Sequence, residues 1–263
     1  MKKILVLSCF CALLSTTTFA QSNDVVAKLE FRLAEEEFAA KNYESALRHL
    51  VKSKDLLGGT NPKISYLLFS IMKVGLETVP QATDKTETMK YMEFSRMLGI
   101  AQTYLNSYGN EADERVTEIY RYKEEYILPG LKAYENKVLP AHLKKKGLKA
   151  VETNNGVFII VSKKGSGKAI KEGDKVLVKY TVRKLDGTAF DSNVDPKFGD
   201  QPCSFTLGKG EVIKGWEDAA RMMNNGDAAT IYIPPSMGYG TKRNGTIPPN
   251  TFLAFDMEIV SVE

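Results

Sequence analysis

The spacing of apolar residues changes character about halfway along the chain. Residues 24–145 place apolar side chains at the three- and four-residue intervals of amphipathic helices, in a segment rich in Ala, Glu, Leu and Lys. From Gly156 onward apolar and polar side chains alternate, which is the pattern of strands with one buried face. The sequence therefore predicts a helical part followed by a sheet-rich part.

Turn signals divide the helical part into six predicted helices. The first ends at Asn42-Tyr43, the second ends at Gly58-Gly59, and Pro62 opens the third as a first-turn proline. The third is predicted to end near Leu76, and the later helices are predicted at 86–106, 111–128 and 131–146. Pro129 and Pro140 are expected to break or kink the last of these elements.

The first two helices resemble a tetratricopeptide unit, a helical hairpin that stacks in arrays. The positions that carry the resemblance are Ala34, the turn 41–43, Ala46-Leu47, Leu50 and Ser53. The later helices do not repeat this pattern cleanly, and such arrays need about three units for stability. An irregular helical bundle without a binding groove stays open as the alternative.

Alternation in the second part predicts an antiparallel sheet. One strand has an apolar face that contains Val176, Val178, Tyr180 and Val182, and another has an apolar face that contains Leu253, Phe255, Met257 and Ile259. Asp186-Gly187 is a turn signal between two strands, and one short helix, 216–223, interrupts them. The predicted fold class is α+β, with an N-terminal all-α domain and an antiparallel sheet wrapped on one short helix.

The first twenty residues have the pattern of a secretory signal peptide. Lys2 and Lys3 precede an apolar run from Ile4 to Leu14, and small residues, Thr18 and Ala20, occupy the positions that signal peptidase reads. An uncleaved membrane anchor is the alternative, but the run is too short to span a bilayer comfortably. We therefore predict cleavage near Ala20, a periplasmic or secreted protein, and no membrane span after cleavage.

Removal of the signal peptide would change the net charge and the number of cysteines. The loss of two lysines lowers the net charge from +4 to +2, which supports no nucleic-acid or membrane-surface function. Cys9 and Cys11 also leave, so that Cys203 alone remains and an internal disulfide is excluded. The run KKGSGK at 163–168 lacks the spacing of a phosphate loop, and His49 and His142 have no spaced ligand partners. No metal site is predicted.

Aromatic and apolar residues beside turn signals in the last third indicate a lined pocket in addition to a core. Five segments carry a resemblance to the FKBP-type peptidyl-prolyl isomerase domain: TAFDS at 188–192, FTLGKGEVIKGW at 205–216, GYG at 238–240, IPP at 247–249 and FD at 255–256. The resemblance covers residues from about 155 to the end. Together with the N-terminal pattern and the change of spacing after Gly147, it predicts three parts: a signal peptide at 1–20, a helical domain at 21–147 and an isomerase domain at 148–263.

The resemblance also implies an activity and a set of roles. The activity is the isomerisation of Xaa-Pro bonds in polypeptide clients, which assists protein folding and needs no cofactor. Catalytic roles fall on Asp191, on the Tyr239 hydroxyl and on the Ile213 N–H, with Asp191 oriented by the Tyr180 hydroxyl. Substrate-binding roles fall on Tyr180, Phe190, Cys203, Phe205, Val212, Trp216, Ile247 and Phe255, with Trp216 as the floor of the pocket.

Three departures from the family pattern affect the expected activity. Cys203 stands where the family usually has an aromatic wall, the loop from Tyr239 to Pro248 is one residue shorter, and the segment 193–201 is longer than in the smallest members. The alternative function is therefore a low-turnover binding module or chaperone for proline-containing segments. In either case the helical domain is expected to hold clients, dock a protein partner or form a dimer.

Overall fold

The computed structural model describes residues 23–78, 84–110, 112–198 and 203–263. The predicted signal peptide lies outside these residues, as do Glu111 and the end of the 193–201 segment. The chain forms two compact units, one up to Ile127 and one from Leu128 onward. None of the helices within the described ranges is long and apolar enough to cross a membrane.

The first unit is helical, as predicted. Its helices are α1 (23–39), α2 (Tyr43–Leu56), α3 (Pro62–Thr78), α4 (Asp84–Tyr108) and α5 (Glu114–Tyr122), and a π-helical turn, Lys123–Ile127, ends it. Apolar residues of α1, α2 and α3 form one cluster: Ala34, Ala46, Leu50, Ile64, Leu67 and Ile71. Three of these belong to the positions that resemble a tetratricopeptide unit, and that resemblance stays a prediction.

The second unit begins with α6 (Leu128–Lys145), which is continuous through Pro140. The expected break of the helix at that proline does not occur, because Leu139 and Leu143 pack against Phe158 and Tyr232 and this packing offsets the lost hydrogen bond. The alternative of a kink stays a prediction. By these contacts, helix α6 belongs to the same compact unit as the sheet. The compact unit begins at Leu128, ahead of the predicted start of the isomerase domain at residue 148.

Seven antiparallel strands form one sheet in the order β1-β2-β6-β7-β3-β4, and β5 pairs with β3. They are β1 (Val151–Glu152), β2 (Phe158–Lys163), β3 (Lys175–Lys184), β4 (Ala189–Ser192), β5 (Cys203–Thr206), β6 (Ala228–Ile233) and β7 (Leu253–Val262). The predicted alternation is confirmed in β3 and β7, whose apolar faces lie in the core.

One short helix, α7 (Lys214–Ala220), packs on the buried face of the sheet through Trp216, Ala219 and Ala220. The helix can approach closely because position 215 is glycine: a Cβ there would lie 2.5 Å from a side-chain carbon of Ile233. An antiparallel sheet wrapped on a single helix, preceded by a helical unit, confirms the predicted α+β class.

Candidate functional site

A cavity of about 660 Å³ opens between α7, the strands β3 to β5 and the loop that follows the 3-10 turn Pro235–Met237. All of the predicted site residues except Phe205 line it: Tyr180, Phe190, Asp191, Cys203, Val212, Ile213, Trp216, Tyr239, Ile247 and Phe255. Residues that are far apart in the sequence are thus brought to one concave surface, which is the usual form of a small-ligand site.

Three aromatic rings form the base of the cavity. Trp216 is 5% exposed, and its ring meets Tyr180 and Phe255 edge to face, with centroid distances of 5.1 and 5.3 Å. The indole N–H of Trp216 has no hydrogen-bond partner among the described residues. The base therefore offers a largely buried aromatic surface of the kind that accepts an apolar ring.

Asp191 lies at the edge of this surface, bound to Tyr180. The pairing of β4 with β3 sets Asp191 opposite Val182, and the Tyr180 hydroxyl donates to the Asp191 carboxylate over 2.7 Å. The other carboxylate oxygen accepts the backbone N–H of Ser192 at 2.9 Å. Burial, and secondly the bond to Asp191, raise the pKa of Tyr180, so that its hydroxyl remains a donor.

Tyr239 enters the cavity from a loop whose backbone is tightly tied. The N–H groups of Gly238 and Gly240, on either side of Tyr239, both donate to the carbonyl of Pro235, at 3.0 and 2.9 Å. Burial raises the pKa of Tyr239, and a hydrogen bond with the side chain of Asn244 acts in the opposite direction. The Tyr239 hydroxyl is therefore protonated at neutral pH.

The remaining loop and helix residues complete the rim. Ile247 is buried and exchanges two backbone hydrogen bonds with Asn244, at 3.1 and 2.9 Å. Ile213 is the N-cap of α7, and its carbonyl accepts the Trp216 N–H at 2.9 Å. Within the described part of the chain the N–H of Ile213 has no acceptor, so it is free to bind a carbonyl of a ligand.

Phe205 is placed differently from the prediction. It lies in the core at 1% exposure, with its ring 6.0 Å from that of Trp216, and Cys203 alone of these two lines the cavity. Both side chains lie on one face of β5, but two residues along a strand separate them by about 6–7 Å. The two side chains thus share a strand face but lie at different depths, and a substrate-binding role for Phe205 stays a prediction.

Cys203 is half-buried, and burial raises the pKa of its thiol. Because the thiolate is the reactive form, we expect Cys203 to react with a thiol reagent at pH 8 several-fold more slowly than free cysteine, and its rate to keep rising above pH 9. Mass spectrometry of the peptide that contains Cys203 measures this rate without interference from Cys9 and Cys11. A rate equal to that of free cysteine at every pH would contradict burial of the thiol.

Sequence reasoning missed some residues that line the cavity. Val182 follows Tyr180 on the buried face of β3, so strand alternation carried a usable signal. Asn244 and Thr246 lie in the loop after Tyr239, and Glu211 precedes Val212. The Glu211 carboxylate accepts the N–H of Thr206 at 2.8 Å and thereby fastens the rim to β5.

Comparisons with known proteins agree with this geometry. Residues 166–260 match the family model described as FKBP-type peptidyl-prolyl cis-trans isomerase. The chain is 41% identical over 110 residues to peptidyl-prolyl cis-trans isomerase Fkbp12 of Drosophila melanogaster, which covers 41% of this chain and 99% of that protein. It is 46% identical over 103 residues to peptidyl-prolyl cis-trans isomerase FKBP53 of Arabidopsis thaliana, covering 38% of this chain and 20% of the relative.

A third relative extends into the helical part. The FKBP-type peptidyl-prolyl cis-trans isomerase FkpA of Aeromonas hydrophila is 32% identical over 189 residues, which make up 72% of this chain and 63% of that protein. The match to nearly the whole length of the Drosophila protein, together with the family model, establishes the family of the sheet unit. The chain belongs to the FKBP-type peptidyl-prolyl cis-trans isomerases, enzymes that interconvert the two forms of an Xaa-Pro bond.

Proposed function

We propose that the cavity binds the proline of an Xaa-Pro segment against Trp216 and promotes rotation of the preceding amide without any covalent step. Rotation costs about 18–20 kcal/mol in solution because amide resonance is lost midway, and exchange takes tens to hundreds of seconds. The observation that carries the proposal is the aromatic base of the cavity with Asp191 and Tyr239 at its edge.

The aromatic walls favour the transition state over the ground state. A planar amide is strongly dipolar and is stabilised by water, whereas the twisted amide is less dipolar. Transfer into a site with aromatic walls removes that water, and the free energy of the planar form therefore rises relative to that of the twisted form. The walls are Tyr180, Phe190, Trp216 and Phe255. This mechanism needs neither a nucleophile nor a metal ion.

Polar groups at the rim then fix the pose of the peptide. The Ile213 N–H and the Tyr239 hydroxyl are the donors proposed for substrate carbonyls, and both remain protonated at neutral pH. Asp191, held by the Tyr180 hydroxyl, lies beside the carbonyl that rotates in this proposal. Val212, Cys203 and Ile247 close the sides, so that the proline ring is enclosed.

A proline-peptide exchange assay tests the proposal. We expect the wild-type chain to accelerate exchange, and Tyr239→Phe and Asp191→Ala each to lower kcat/KM by about tenfold. Tyr239→Phe loses one hydrogen bond to the substrate, whereas Asp191→Ala loses the carboxylate beside the rotating carbonyl and the acceptor of the Tyr180 hydroxyl. Tyr232→Phe is the matched control, because Tyr232 is buried outside the cavity and should retain wild-type activity. Absence of acceleration by the wild-type chain would exclude the enzymatic mechanism.

Cys203 favours a second candidate function. A thiol is smaller than the aromatic side chain expected at this position, so the cavity is wider and can hold a proline segment with little turnover. The chain would then act as a binding module or chaperone. The double variant Asp191→Ala/Tyr239→Phe separates the two functions, since only a binding module would keep full protection of an aggregating client.

Site of action and domain roles complete the proposal. We propose that residues 1–20 direct export, that the protein assists folding in the periplasm or after secretion, and that its clients are proline-containing polypeptides. The helical domain would hold clients, dock a partner or form a dimer. Sedimentation of a chain without residues 21–127 tests the dimer; the deletion stops there because α6 packs on the sheet.

A further inference from the structure

A buried carboxylate outside the cavity is bound to the turn that leads to Tyr239. Glu135 lies on α6 and is 4% exposed. It accepts the backbone N–H of Ser236 at 3.0 Å and also the Ser236 hydroxyl. Ser236 belongs to the 3-10 turn, three residues before Tyr239. A carboxylate is costly to bury unless donors compensate for the lost water, and Ser236 supplies two such donors.

The bond from Ser236 N–H acts on the same peptide group that holds the Tyr239 loop. The Ser236 N–H and the Pro235 carbonyl belong to one planar unit, so fixing one end fixes the other. That carbonyl accepts the N–H groups of Gly238 and Gly240, which flank Tyr239. Hydrogen bonds in such a chain strengthen one another. The Glu135 carboxylate is thus linked to the Tyr239 backbone through a single rigid group.

Helix α6 is in turn held firmly enough to serve as a support. Leu139, one turn after Glu135, is fully buried, and Leu143 is buried a turn later; both pack with Phe158 and Tyr232 of the sheet. The Tyr134 ring also lies 6.4 Å from that of Phe252, which precedes β7. The position of Glu135 is therefore set by the sheet that also carries the cavity.

We propose that Glu135 is a positioning residue for the isomerase reaction: it holds the peptide group 235–236 so that the Tyr239 hydroxyl stays in place to bind the substrate. The inference rests on the donor role of Tyr239 proposed above. It also implies that a functional isomerase unit includes α6, and that a chain cut at residue 148 would lose this support.

Kinetics in two backgrounds test the proposal in the full chain. We expect Glu135→Ala to lower kcat/KM by about fivefold in the wild-type background but by less than about twofold when Tyr239→Phe is present. The effect is smaller in the second background because Glu135 acts through the Tyr239 hydroxyl, which that variant lacks. Glu135→Gln keeps one acceptor oxygen and should recover part of the loss. Lys132→Ala, at an exposed site on the same helix, should leave activity unchanged. If Glu135→Ala does not fold, kcat/KM is compared in the same two backgrounds for Glu135→Gln and Ser236→Ala.

Two kinetic outcomes would overturn the proposal: wild-type kcat/KM in the folded Glu135 variants, or an equal loss in both backgrounds, which would indicate a general loss of structure. Amide hydrogen exchange gives a readout that does not depend on catalysis. Gly238 and Gly240 should exchange at least about tenfold faster in the Glu135 variants, and unchanged exchange would reject the role of Glu135. If the wild-type chain proves inactive, the proposed function fails, and hydrogen exchange still decides the role of Glu135.

Discussion

Replacement of Phe255 by alanine is expected to lower the free energy of unfolding of the second unit by about 3–5 kcal/mol. Phe255 is 2% exposed on β7, and its ring meets Trp216 edge to face and lies 6.2 Å from Tyr180. The substitution removes apolar contacts and both aromatic pairs, and it leaves a void between the core and the cavity. The same void removes one wall of the proposed proline site.

Fluorescence of Trp216 reports this unfolding specifically, because Trp216 is the one tryptophan of the chain and lies in the second unit. Denaturant titration with this probe gives the stability of the unit that contains it. Phe255→Leu is the matched control, and we expect it to cost less than about 1.5 kcal/mol because it keeps most of the volume. A loss below about 1 kcal/mol in Phe255→Ala would show that Phe255 is not an integral part of the core.

Much of the sheet unit was predictable because its strands follow simple alternation. In β7 the large apolar residues occupy every second position, and all four lie in the core: Leu253, Phe255, Met257 and Ile259. The cavity residues were identified from short motifs that hold turns and aromatic side chains together. The sequence was sufficient to predict which face of its strand a residue occupies, as for Tyr180 and Phe255.

The sequence could not predict contacts that depend on depth along a strand or on distant parts of the chain. Phe205 has the same strand face as Cys203 but lies deeper, a difference that alternation cannot express. Glu135 has an ordinary helix position in the sequence, and only the fold places it against Ser236, 101 residues away. Pro140 indicated a break, but the packing of α6 on the sheet outweighs the local preference.

Asp227 is a second buried carboxylate that no sequence pattern identifies. It is fully buried in the turn between α7 and β6, and it accepts the N–H of Gly165 at 2.7 Å and that of Asn224 at 2.8 Å. The two segments approach so closely that a Cβ on Gly165 would lie 2.1 Å from the carbonyl oxygen of Asn225. Asp227 therefore joins the loop before β3 to the turn that begins β6.

Replacement of Asp227 by alanine should lower the free energy of unfolding by roughly 3 kcal/mol, because two backbone donors lose their acceptor where the close approach leaves little room for water. Asp227→Asn keeps one oxygen acceptor, and its free energy of unfolding should lie between those of the wild-type chain and Asp227→Ala. Asp186→Ala is the control: its exposed carboxylate accepts one N–H, from Thr188 at 2.9 Å, and its loss should cost less than about 1 kcal/mol. Equal losses in Asp227→Ala and Asp186→Ala, measured by Trp216 fluorescence, would mean that water replaces the carboxylate. A larger loss at Asp227 that leaves kcat/KM unchanged would show that this carboxylate stabilises the fold, in contrast to Glu135, whose replacement should change kcat/KM through Tyr239.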